Sequence, residues 1–510
     1  MSSPMVKSFE ERASLLKSSD RPYLSLGSVH QSTCKVYKRR WYILFIFSIV
    51  ATLNNIIWNS WGPIQGTSKV VFGWDDTIIT LLADWGPISY VVAVVPMSWL
   101  MDEKGLRTSV VLAAFFEFIG SGLRCIPLDA SSQSLLIHIG QFVTGLGGPV
   151  AMAAAPLVSA AWFPPSQRTT ATAISSLACY SGTALSFVIG PLLVSDPSGA
   201  NSTQNVDYDQ LRETLNATTI QDYKDEIMRL MYLEFGVTTF VFLCVLIYFP
   251  KKPKSPPSIT AAIGRLDFMV GAKALLRKKQ FWLLVFIYGL STGVYGGWCS
   301  VLDLNLSKFG IDQKTAGWLG FGAVVAGSLS GISLSIFADH FTRYMKTIII
   351  TLMMGATASL LIFTLVCAKI LHSRSTIFLY ITSILGGFFV NGSIPLFFEL
   401  GVESTYPIAE GITSGCLTFS NNFLQVIFYI FPMVPRFGTR WINWAALISC
   451  GTSIPLLVVW KAKYYRSAVD KKVPYVPTHG PITYGTLDNG IIVEDRKLPE
   501  NHRIDSPVSA

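Results

Sequence analysis

Apolar stretches long enough to cross a membrane alternate with short polar segments from about residue 41 to residue 461. A bilayer core of roughly 30 Å takes about 20 residues of helix. Stretches at 41–62, 77–100, 107–127, 135–162, 168–194 and 231–249 have that length. A second set lies at 280–304, 315–338, 346–371, 375–401, 409–435 and 441–461. The pattern predicts an all-α membrane protein of twelve transmembrane helices in two six-helix halves, 41–249 and 280–461. A polar tail (1–40), a central loop (250–279) and a second tail (462–510) complete the division. Met1 to Arg40 is polar throughout, so the first helix is expected to act as the insertion signal.

Composition supports a lipid-facing surface. Charged residues are only 14% of the chain against 51% apolar, with mean hydropathy +0.45, whereas soluble domains carry roughly 25% charged residues. The net charge of +9 sits in the polar segments, not in a basic stripe interleaved with aromatics, which argues against nucleic acid as a partner. The N-terminal tail, the segment 251–279 and the tail from Lys461 each hold eight lysines and arginines. Positive-inside bias then predicts cytosolic termini. The loop at 195–230 falls on the opposite side and carries two glycosylation sequons, at Asn201 and Asn216. The eight cysteines are scattered singly, which suits small buried hydrophobes better than disulfides or zinc. No metal-spaced histidines, nucleophile elbow or phosphate loop occurs, so neither enzyme chemistry, nor a metal, nor a cofactor is expected.

Polar groups are costly in hydrocarbon and mark either pathways or helix contacts. Asn55, Trp58 and Asn59 share a face of the first helix; Asn421 and Gln425 share one on the eleventh. The two faces come from different halves and either meet at a central cavity or bond neighbouring helices. Helix 7 contains Gly289, Gly293, Gly296 and Gly297 beside Tyr288, Tyr295 and Trp298, which suits bending next to aromatic faces. Glu117 and Arg124 stand seven residues apart on helix 3, on one face and roughly 10 Å apart. Desolvation penalises a charged carboxylate unless a cation offsets it. Glu117 is therefore a candidate proton carrier, ahead of Asp84 and Asp303, with a structural ion pair as the other reading.

The segments Met101-Asp-Glu-Lys-Gly-Leu-Arg107 and Ala338-Asp-His-Phe-Thr-Arg343 occupy equivalent loops of the two halves. They resemble the loop signature of the major facilitator superfamily. That resemblance implies gating roles for Asp102, Arg107, Asp339 and Arg343, each aspartate capping a helix and pairing with its basic neighbour. It also implies a substrate site near the midplane between parallel halves.

The run Phe398-Glu399-Leu-Gly-Val-Glu403-Ser-Thr-Tyr406-Pro-Ile-Ala-Glu410-Gly is similar to a stretch of solute carrier family 49, the feline leukaemia virus subgroup C receptor-related transporters. The likeness extends over about residues 41–461. The tails and the 195–230 loop look most like the family's lysosomal member. Glu11 before Leu15-Leu16 also has the form of an acidic dileucine signal read by clathrin adaptor proteins. Relatives hold choline-like cations between aromatics of helices 1 and 7, with glutamines on helices 5 and 11. Trp58 and Gln425 match two of these positions. Tyr180 stands at the helix 5 glutamine, and the helix 7 aromatic falls at Tyr295 or Gly296. With Asn59 these residues form the expected substrate-binding set.

The altered cage suits a flat, hydroxylated ring, and the lysosomal branch implies proton-coupled export of vitamin B6, chiefly pyridoxine. The expected protein is a monomer in the lysosomal membrane whose partners are a small-molecule substrate, protons and lipid. A choline or ethanolamine uniporter is the first alternative, and a non-transporting receptor or scaffold the second.

Overall fold

A computed structural model describes residues 34–128, 130–197, 208–262, 265–300, 313–368, 370, 376–430, 441–471, 484–487 and 490–493. The first half contains α1 (Arg40–Trp58), α2 (Asp76–Trp99), α3 (Leu106–Arg124), α4 (Ala130–Leu146), α5 (Arg168–Leu193) and α6 (Ala217–Ile247). The second contains α7 (Lys279–Tyr288), α8 (Gln313–His340), α9 (Met345–Cys367), α10 (Thr376–Thr405), α11 (Glu410–Ile430) and α12 (Trp441–Val459). Among the described residues, 11 helical spans are long and apolar enough to cross a membrane. The exception is α11, whose 21 residues include Asn421, Asn422 and Gln425. Packing against α2 and α7 keeps those polar groups away from lipid.

Local sequence explains the departures from straight helices. The α4 segment continues as Gly148–Ala153 and Ala155–Trp162. Pro149 and Pro156 lie in the first turns of these pieces, each lacking the N–H donor that an unbroken helix would need. After α7 a π-helical turn, Gly289–Gly293, leads into Val294–Ser300. Here glycine is required by close approach: a Cβ at Gly293 would lie 2.4 Å from the Asn421 carbonyl oxygen of α11.

The α6 helix begins at Ala217, well before the expected 231, and runs for 31 residues. At 1.5 Å per residue that is roughly 46 Å, longer than the hydrocarbon core. Its early turns pack with Trp61, Phe72 and Trp74 around the helix Gln65–Phe72. The stretch read from sequence as the loop 195–230 is thus largely helical, since Tyr208–Thr214 adds another helix.

Each half has its own core. Phe47, Val110, Phe163 and Val245 lie in the first; Leu284, Met353, Phe397 and Leu457 lie in the second. The halves meet along two related seams, α2 against α11 and α5 against α8. Ile247, Leu192 and Val459, at 81%, 76% and 68% exposure, belong to an apolar exterior suited to lipid. Beyond α12, the helix Tyr465–Lys471 folds back onto the bundle, and Tyr484–Leu487 pairs antiparallel with Gly490–Val493.

Candidate transport site and gate

At the end of the bundle that carries the α2–α3 and α8–α9 loops, reciprocal caps bridge the two halves. Asp102 follows α2, and its carboxylate accepts from the Gly411 and Ile412 amides at 2.9 and 2.8 Å. Asp339 ends α8, and its carboxylate accepts from the Thr169 and Thr170 amides at 2.8 and 2.9 Å. The Thr170 hydroxyl donates to it as well, at 2.6 Å. Each aspartate therefore caps a helix of the opposite half, where a negative charge meets free amides and the positive end of the helix dipole. The arginines do not complete the expected pairs. Arg107 reaches the Leu246 carbonyl at 3.4 Å, and the Arg343 carbonyl accepts from Tyr464. Both arginine side chains are exposed, whereas the helix amides lie directly opposite the aspartates.

A buried ionic cluster lies beside these caps, built from residues that sequence reading did not assign to the gate. Arg168, at the start of α5, binds Asp470 at 2.8 Å and Thr260 at 2.8 Å, and also Ser258. Glu410 of α11 pairs with Arg265 at 2.6 Å, and Arg466 lies 3.7 Å from Glu399. Thr172 of α5 donates to Glu399 of α10 at 2.7 Å, crossing between halves. Glu403 accepts from the Ser467 amide and hydroxyl at 3.0 and 2.6 Å. Burial disfavours the Arg265 charge, but the adjoining Glu410 carboxylate outweighs it and holds the guanidinium above its usual range. The tail helix Tyr465–Lys471 and the central loop are thus structural parts of this end of the bundle.

Trp58, Tyr180 and Phe419 come together near the centre with Tyr90, Met152 and Cys179. The Trp58 ring sits in a slot between α2 and α4, since a Cβ at Gly86 or Gly148 would fall 2.6 or 2.5 Å from ring atoms. The Tyr90 and Thr418 hydroxyls are bonded across the α2–α11 seam. Gln425 donates to the Tyr429 hydroxyl at 2.8 Å and lies nearest Gly296 across α7. Tyr295 points elsewhere, into a second-half cluster with Trp298, Leu360 and Phe363. Of the two helix 7 positions considered from sequence, Gly296 faces Gln425 and Tyr295 does not.

The asparagine faces of α1 and α11 do not meet. Asn59 donates to Thr183 of α5 at 3.2 Å, and Asn55 to Cys179 of α5. Asn421 donates to Thr292 beside α7 at 2.8 Å. Each face bonds a helix of its own half, so the helix-contact reading describes these residues.

The α3 charges also separate. Arg124 is fully buried and pairs at 2.6 Å with Glu234 of α6, with Gln141 at 3.3 Å. Ser60 donates to the other oxygen of Glu234. Glu234 was missed from sequence, although it is the one charge inside the apolar stretch 231–249. Glu117 is 1% exposed; one of its carboxyl oxygens has no partner, and Asn54 of α1 is the polar side chain facing the group. Among the described residues no cation pairs with it. Asp84 on α2 is likewise buried, with an unpartnered oxygen. Asn216 is exposed at the start of α6. Asp303, Asn201, Glu11, Leu15 and Leu16 lie outside the described residues.

Residues 41–304 match the family model of the Major Facilitator Superfamily. A crystal structure of the superfamily transporter FucP in the outward conformation aligns with TM-score 0.63 and 16% identity, over 84% of this chain and 99% of that one. A structure of the E. coli fucose:proton symporter FucP aligns with TM-score 0.60 and 15% identity, over 82% and 98%. The fold is thus that of a major facilitator transporter, a multi-pass protein of the lipid bilayer that carries a small molecule.

In sequence, the solute carrier family 49 member 4 homolog of Xenopus laevis is 40% identical over 439 residues, 86% of this chain and 94% of the relative. The Xenopus tropicalis homolog is 39% identical over the same shares. The human choline/ethanolamine transporter FLVCR2 is 27% identical over 431 residues, 82% of this chain and 76% of the relative. This chain belongs to solute carrier family 49.

Proposed function

We propose that this chain is a proton-coupled secondary transporter of the lysosomal membrane that exports a small ring-containing or cationic metabolite, pyridoxine foremost. The observation that carries the reading is Glu117, a buried carboxyl with an unpartnered oxygen, while Arg124 on the same helix is already paired with Glu234. A carboxyl group in such a setting binds and releases a proton as its surroundings lose and gain water. The reciprocal Asp102 and Asp339 caps give alternating access a latch that closes one end while the other opens. With the termini on the cytosolic side, the latched end is the cytosolic one, and the site loads from the lumen.

Choline transport is the second reading, favoured by the choline/ethanolamine transporters among the relatives. Reconstituted vesicles offered pyridoxine and choline at acidic and neutral pH separate the two. Saturable pyridoxine uptake that rises with an inward proton gradient supports the proposal. Saturable choline uptake indifferent to pH replaces it, and no flux of any solute returns the receptor alternative.

A further inference from the structure

The interior of the first half holds a cluster of polar side chains with atoms that the protein leaves unmet. Glu117 of α3, Asn54 of α1 and Thr144 of α4 are buried, and Glu117 Oε1, Asn54 Oδ1 and Thr144 Oγ1 have no hydrogen-bond partner. The Asn54 amide faces the Glu117 carboxyl and donates through Nδ2 to the Thr144 carbonyl at 3.2 Å. Gly120, nearly one turn along α3 from Glu117, lies against the Thr144 hydroxyl, where a Cβ would collide with it. Unmet polar groups in a low-dielectric interior carry their full desolvation cost.

The charged and titratable neighbours are already engaged. Cys179 of α5 lies within electrostatic reach of Glu117, and its sulfur accepts from the Asn55 amide. Arg124, further along α3, and Glu234 of α6 neutralise each other. Asn54 is thus the side chain placed to answer a change in the Glu117 charge. A carboxylate only accepts, a carboxylic acid also donates, and an asparagine amide does either according to the end it presents. Nδ2 serves the ionised carboxylate. The protonated form needs an acceptor, and Oδ1 is the end without a partner.

We propose that Asn54 is a positioning residue that couples the Glu117 proton to α1: it donates to the carboxylate, and when Glu117 takes a proton its amide turns over to accept from the acid. The coupling rests on the reading that Glu117 carries the proton. Turning over puts Oδ1 opposite the Thr144 carbonyl, so the tie between α1 and α4 becomes a contact of two acceptors and breaks. Gln141 of α4 still holds the Ile57 carbonyl at 3.2 Å, so α1 swings about the turn that carries Trp58. The covalent change is confined to the O–H that Glu117 gains and loses.

Infrared difference spectra of the purified full-length protein, taken between acidic and neutral pH, test the pairing without any substrate. Wild-type protein should show the C=O band of a protonated carboxyl that Glu117→Gln lacks. In Asn54→Leu, a side chain of similar size, that band should move to higher frequency because the acid has lost its acceptor. In Thr144→Val it should stay in place. Asn54→Ala repeats the measurement where thermal melting shows the leucine variant unfolded. Pyridoxine uptake into proteoliposomes then reads the coupling. The Asn54 variants are expected to lose about tenfold or more in gradient-driven accumulation, the loss of one hydrogen bond to a charged group, while self-exchange at equal pH persists. A band unmoved in the Asn54 variants, a band that moves in Thr144→Val instead, or accumulation at the wild-type level overturns the proposal. Accumulation and exchange that fall in equal proportion mark a packing role and overturn it too. A wild-type spectrum with no band assignable to Glu117 overturns the proton reading beneath it as well.

Discussion

Replacing Asp339 with asparagine tests the latch without altering its shape. One carboxylate oxygen accepts from the Thr169 amide, the other from the Thr170 amide and hydroxyl. An asparagine has a single accepting oxygen, so at least one bond is lost, and the negative charge at the α5 N-terminus goes with it. A hydrogen bond to a charged group contributes about 1.5–3 kcal/mol and the dipole interaction about 0.3–1 kcal/mol. The closed end should therefore lose about 2–4 kcal/mol relative to the open one, a shift of roughly thirtyfold or more. Spin labels at Thr108 of α3 and Thr347 of α9, both exposed and on opposite halves, report the separation of the halves at this end. Asp339→Asn is expected to populate a longer distance that wild-type protein barely samples, and Asp102→Asn should do the same through α11. A distance distribution identical to wild type in both variants would refute the latch.

Glu234→Gln leaves the fully buried Arg124 without its countercharge, so it should destabilise the fold by about 3–5 kcal/mol; a melting temperature within a degree of wild type would show that the pair is dispensable. If the loop before α6 is luminal, Asn201→Gln with Asn216→Gln should collapse the glycosylated mass to that of the bare chain on a gel, and an unchanged band would reverse the orientation or the sites. Leu15→Ala with Leu16→Ala should move the protein to the plasma membrane, and continued confinement to lysosomes on imaging would clear the dileucine of that role.

Sequence showed best what depends on local runs of residues. Eleven of the twelve spans announce themselves by length and apolarity, and α11 was found as well despite its amides. The early start of α6 was hidden because Ala217–Leu230 is amphipathic, with its apolar residues turned onto the 65–74 segment. The caps were half legible. Aspartates at matched helix ends suggested a gate, but their partners lie some 170 and 309 residues away in sequence and are backbone amides, which carry no side-chain signature. The same distance concealed Arg466 and Asp470, which read as tail charges until the chain returned them to Glu399 and Arg168. At the centre, the adjacent residues Tyr295 and Gly296 both fitted the helix 7 position in sequence, and their side-chain directions, set by tertiary packing, place Gly296 against Gln425.

The central claim is that Glu117 carries the coupled proton, and gradient-driven uptake by Glu117→Gln tests it most directly. The substitution keeps the size and polarity of a side chain that is 1% exposed and faces Asn54, while removing its titration. Pyridoxine uptake into proteoliposomes would be measured with and without an inward proton gradient, together with exchange of pyridoxine against itself at equal pH. Wild-type protein should accumulate substrate with the gradient. Glu117→Gln should exchange at a comparable rate and ignore the gradient. A variant that still accumulates pyridoxine to the wild-type level would contradict the claim and pass the role to Asp84, the other buried carboxyl with an unpartnered oxygen among the described residues of this half.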